Sequence, residues 1–113
     1  MDITSLKDFK IKIIDRVWHI KFVEHIPEKY DPEPDVANKE IYGVTIYSTN
    51  KIFIATKDSN NISLDKNSIL TSLFHEFTHA ILSNGMYLGS NNDECLVEWL
   101  AKNWLEIFKK LKL

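Results

Sequence analysis

Five consecutive residues, His75-Glu76-Phe77-Thr78-His79, place two imidazoles four positions apart with a carboxylate beside the first. Residues four apart on a helix share a face, so both rings can converge on one metal ion. Glu76 lies about 100° round from His75 on such a helix. From there a carboxylate reaches a water held by the metal rather than the metal itself. Neutral nitrogen ligands hold Zn²⁺ while leaving a position open, and the ion lowers the pKa of its water towards ~7. Glu76 would take that proton and later return it to a leaving amine. The competing reading is a pair of helix histidines, solvated or hydrogen-bonded, with no metal.

A catalytic zinc as a rule takes three protein ligands. One extended pattern would put a glycine three residues after His79 and a third histidine three further on. Leu82 and Gly85 stand there, which excludes it. His19 and His25 fall in a strand region without ligand-like spacing, and His19 shares its strand face with Lys21, which favours solvation. Glu94 and Glu98 remain. They sit on a second helix that follows after a short turn, and such a connection brings the start of one helix near the end of the other. Taking Trp104 as the centre of that helix's apolar stripe, Glu94 lies about 80° round and Glu98 about 120°. The expected metal ligands are therefore His75, His79 and Glu94. Glu98 is then an outer acceptor for a histidine ring proton, or the alternative ligand. Asn91 and Glu94 also fit a capping box, which needs no metal. Cys95 follows Glu94 but points elsewhere, and reads as a small buried hydrophobe.

The elements that must position these groups follow from periodicity. Phe9, Ile11 and Ile13 alternate with lysines, and Trp18, Ile20 and Phe22 alternate with His19 and Lys21, which predicts two half-buried strands joined near Asp15-Arg16. A second pair, Tyr42 to Tyr47 and Lys51 to Thr56, is broken by Ser48-Thr49-Asn50. Pro27 to Glu40 holds all three prolines and reads as an irregular loop. A helix is expected from about Lys66 to Asn84, after Ser63, Asp65 and Asn67, with Asn84-Gly85 as its stop. With Phe77 at the centre of its apolar stripe, the two histidines fall about 160° away on either side. The last helix, after Ser90, Asn91 and Asn92, carries Val97, Leu100, Ala101, Trp104, Phe108 and Leu111. The fold class is α+β: a small antiparallel sheet packed on a motif helix and a C-terminal helix.

Composition bounds the rest. A chain of 113 residues fits one domain over residues 1–113. With 14 basic against 16 acidic side chains, its formal charge of −2 gives no footprint for nucleic acid or an anionic membrane. One cysteine cannot form an internal disulfide, and the N-terminus lacks a continuous apolar run. Cytoplasm is the expected location.

Leu73-Phe74-His75-Glu76-Phe77-Thr78-His79-Ala80, followed by Asn92-Asp93-Glu94-Cys95-Leu96-Val97-Glu98-Trp99-Leu100-Ala101, resembles the zincin metallopeptidases of gluzincin type. It looks closest to compact phage and bacterial domains of the ImmA/IrrE and SprT-like kinds. The resemblance spans about residues 40–113. It implies a glutamate ligand at Glu94 and an acidic partner at Glu98, where the family usually has Asp. It also implies a sheet on the motif helix whose edge strand holds an extended peptide, for which Lys51 to Thr56 is the candidate. A Tyr or His often stabilises the oxyanion in such families; Tyr87, in the turn after the motif helix, and Tyr47 are candidates, but neither has a motif match and the role stays unassigned. The expectation is a zinc-dependent metallopeptidase with one Zn²⁺ and a protein or peptide substrate, selected by itself or through an auxiliary protein. The alternatives are a catalytically silent zincin-fold module that keeps zinc structurally and recognises a protein, and a metal-free interaction protein.

Overall fold

In the computed structural model, residues 7–13, 15–30, 41–84 and 88–111 are described. The alternating segments form two antiparallel hairpins. β1 (Phe9–Ile13) pairs with β2 (Arg16–Val23), with Phe9 opposite Ile20 and Ile13 opposite Arg16. β3 (Gly43–Ile46) pairs with β4 (Lys51–Ala55), with Gly43 opposite Ile54 and Ile46 opposite Lys51. Asn50 closes the second turn at a φ of 52°, a left-handed value that asparagine tolerates.

The hairpins join through β2 and β4, which run parallel, so the strand order is β1-β2-β4-β3. The sheet is therefore mixed rather than wholly antiparallel. Alternation reports which face of a strand is buried. It carries no information on how two hairpins are joined across a long connection, and that connection sets the parallel pair. β4 shows four consecutive buried residues, Ile52 to Ala55, the mark of a strand covered on both faces. Tyr30 stacks on Phe53 from the outer face, with ring centroids 5.0 Å apart. Paired on both sides, β4 has no free edge, and the expectation that Lys51 to Thr56 is the edge strand fails. The end strand beside β4 is β3.

α1 (Lys66–Asn84) lies across the inner face. Its first turn is capped by Asp65, whose Oδ1 accepts from the Ser68 N–H at 2.7 Å. Ile69, Leu73 and Ala80 pack with Trp18, Ile20, Ile52 and Ile54 to make the main core. Each buried Ile or Leu there contributes about 1.5–3 kcal/mol. The buried side of α1 thus runs through Leu73, Glu76 and Ala80, not through Phe77, which is only half-buried. Measured from Glu76, His75 lies about 100° and His79 about 60° round the helix, both to the same side. The histidines flank the buried face instead of opposing it.

α2 (Leu88–Asn91) is one short turn, and α3 (Glu94–Leu111) follows. Asp93, not Asn91, caps α3, its Oδ1 accepting from the Leu96 N–H at 3.1 Å. The capping-box reading of Asn91 is overturned. α3 returns antiparallel to α1. Lys109 reaches Asn67 near the start of α1, and the two helices share Leu70, Phe74, Leu105 and Phe108. Val97, Ala101 and Leu105 form its buried line, while Trp104 is 48% exposed. On that corrected wheel Glu94 lies about 20° and Glu98 about 60° from Ala101, so both sit on the face turned to α1. Cys95 lies about 120° away and is exposed, contrary to the expected burial. No helix among the described residues is long and apolar enough to cross a membrane.

Candidate metal centre

Three elements converge on one polar cleft: the middle of α1, the first turn of α3 and the edge strand β3. His75 and His79 come from successive turns of α1, with ring centroids 5.0 Å apart. Glu94, at the first position of α3, places one carboxylate oxygen 3.2 Å from His75 Nε2 and the other 3.3 Å from His79 Nε2. One ligand atom from each of His75, His79 and Glu94 falls within 4.8 Å of the others, close enough to hold a metal ion.

The other ring nitrogens settle which atoms are available. His75 donates its Nδ1–H to Glu98 Oε2 at 2.9 Å, and His79 donates its Nδ1–H to Asn91 Oδ1 at 2.8 Å. Both partners are acceptors, so each ring carries a proton on Nδ1. Both Nε2 atoms then face the Glu94 carboxylate. Lone pairs facing a carboxylate repel, and a metal ion between them would remove that repulsion. Outer acceptors that fix the tautomer of a ligand histidine are what a metal site requires.

Glu76 occupies the sheet side of the cleft and is 7% exposed. Its Oε1 accepts from Thr45 Oγ1 at 2.7 Å. Burial holds its carboxyl above the ordinary value, opposed by the Thr45 hydrogen bond and the neighbouring histidines. The fit is close. A Cβ at Gly43 would stand 2.9 Å from Glu76 Cγ, so only glycine leaves the carboxylate in place. Tyr47 completes the rim, its hydroxyl accepting from Asn91 Nδ2 at 3.0 Å. Burial pushes the Tyr47 hydroxyl's pKa up, with Glu76 and Glu94 adding to the effect. A hollow of 360 Å³ opens over β3, His75, Glu76, His79 and Glu94. A second of 440 Å³ shares Gly43, His75 and Glu76 and extends to Thr71, Ser72 and Glu98.

The structure brings all five expected residues, His75, Glu76, His79, Glu94 and Glu98, to this cleft. His19 is on the outer face of the sheet beside Lys10 and Lys51, and His25 donates Nε2–H to Asn61 Oδ1 in a loop. Tyr87 lies outside the described residues, as does Gly85 of the expected helix stop. Three contributors escaped sequence reasoning: Thr45, Gly43 and Asn91. Thr45 and Gly43 had a signal, since they occupy the inward parity of a strand where apolar residues belong. Asn91 had none, because a polar residue between helices reads as a cap. Comparison of the chain with protein-family models, with curated proteins and with solved structures finds no match.

Proposed function

We propose that the protein is a zinc metallopeptidase. The observation that carries the reading is a matched pair of ring placements: each histidine sets Nδ1 against an outer oxygen and turns Nε2 to the Glu94 carboxylate. Two nitrogens and a carboxylate oxygen suit zinc. The Glu94 carboxylate presents one oxygen to each ring, and with one donor atom taken from each residue the three lie within 4.8 Å of one another, near enough to close on a single ion. Held by His75, His79 and Glu94, zinc would supply Lewis acidity to a water and to the scissile carbonyl at its open position.

The chain's own groups do the rest. Thr45 engages Glu76 Oε1, which leaves Oε2 to take a proton from the attacking water and return it to the leaving amine. Burial favours the protonated form of Glu76 between these two transfers. β3, the end strand of the sheet among the described residues, lines both hollows and offers main-chain hydrogen bonds to an extended peptide. The edge role thus passes from Lys51–Thr56 to β3.

The test is metal content together with peptide hydrolysis. The native protein is expected to carry one zinc per chain. Glu76→Gln should keep the ion and lose about 10²–10⁴-fold in turnover. Zinc bound with no hydrolysis, and no effect of Glu76→Gln on function, would leave a silent binding module. No bound metal would remove both readings.

A further inference from the structure

We infer that Asn91 is the positioning residue for His79 and that Tyr47 acts on the metal centre through Asn91. This rests on the metal-site reading above. Asn91 is 7% exposed, and both ends of its amide are engaged: Oδ1 accepts from His79 Nδ1–H and Nδ2 donates to the Tyr47 hydroxyl. An amide turned by half a rotation would present Nδ2–H to the ring instead. His79 would then have to accept at Nδ1 and carry its proton on Nε2, the atom that faces Glu94. The direction of one amide therefore decides whether His79 can be a ligand at all.

The amide is held from the far side. Tyr47 follows β3, and its ring stands edge-on to Trp18, with centroids 6.4 Å apart and planes at 88°. Trp18 is fully buried in the core of the sheet. A continuous path thus runs from the core through Trp18, Tyr47 and Asn91 to His79. Asn91 also ends α2, three residues before Glu94, so the same contact fixes the approach of the chain to the carboxylate ligand. Tyr47 accepts from Nδ2 and so gives the buried N–H a partner. Without it the far end of the amide is unpaired and the side chain is no longer held against His79.

The experiment measures metal affinity of the full chain by competition with a chromophoric chelator, using Zn²⁺ and, for its visible spectrum, Co²⁺. Asn91→Leu should weaken binding by about 10–100-fold and alter the Co²⁺ spectrum. Asn91→Asp keeps an acceptor for His79, and the Tyr47 hydroxyl can turn to donate to it, so affinity should return to within a few-fold of the native chain. Tyr47→Phe should weaken binding a few-fold in the native background and not at all beside Asn91→Leu. Asn91→Ala replaces Asn91→Leu if unfolding in chelator shows the latter misfolded. Equal losses in the Asp and Leu variants, or an undiminished Tyr47→Phe effect in the double variant, would overturn the inference while leaving the metal centre standing. A native chain that binds neither ion would instead overturn the metal reading beneath it.

Discussion

Three carboxylates face the two histidines, from opposite walls of one cleft. Glu76, on the sheet side, is 7% exposed and pressed between Gly43 and Thr45. The side chains of Glu94 and Glu98, on the α3 side, keep 66% and 42% of their surface in solvent. Burial penalises the charged form of a carboxyl, so the buried wall favours a group that picks up a proton, while the open wall keeps its two carboxyl groups in contact with solvent. The same functional group is thus assigned opposite work by its surroundings, as in other sites where environment separates an acid from a charge stabiliser. The histidine supports follow the same division. His75 leans on the half-exposed carboxyl group of Glu98, and the more buried His79 leans on the neutral amide of Asn91. A charged partner inside would add a desolvation cost that an amide avoids.

The open wall gives the largest test. On the proposed reading Glu94→Ala would remove a ligand and should release the ion at concentrations where Glu98→Ala, which would remove only an outer acceptor, still binds with a loss of about 10–100-fold. Chelator competition separates the two. The reverse ranking would make Glu98 the ligand and undo the division within that wall. The buried wall is probed by Gly43→Ala, whose new methyl would stand 2.9 Å from Glu76 Cγ and 3.1 Å from Oε2. If Glu76 is the base of the proposed reaction, its displacement should lower turnover by up to about 100-fold, with metal affinity unchanged. Undiminished turnover would mean that the buried wall has slack and that close packing does not set the position of Glu76.

The same two walls explain what the sequence made legible. Helical spacing was enough to place His75, Glu76 and His79 on α1, because a 3.6-residue period is local. Glu94 and Glu98 were legible as a pair on a following helix for the same reason. The centres of both apolar stripes were misplaced at Phe77 and Trp104, since large aromatics weigh heavily in a pattern yet sit at the border of each interface here. Correcting those centres moves Glu94 and Glu98 onto the face turned to α1 and so strengthens the site. The mixed sheet, the edge position of β3 and the roles of Gly43, Thr45 and Asn91 all depend on contacts between distant segments. Thr45 meets Glu76 across 31 positions and Asn91 meets Tyr47 across 44, and no periodicity encodes such pairs.

The smallest expected effect is on stability, and it sharpens the contrast between the walls directly. Burial raises the Glu76 carboxyl above the value it has in the unfolded chain, so folding favours its protonated form. Above the raised value both states are ionised and the folded state carries the whole penalty. As pH falls through that value towards the ordinary carboxylate range, the folded state takes up its proton first and the penalty disappears. Glu76→Gln cannot ionise, and its amide oxygen still accepts from Thr45. With metal removed by chelator, the variant should therefore melt higher than the native chain at neutral and alkaline pH. The difference should close once pH drops below the ordinary carboxylate value. A constant difference across the series would trace the gain to packing. A native chain that is more stable at high pH would mean that the histidines, not burial, govern Glu76, and the two walls would no longer differ in kind.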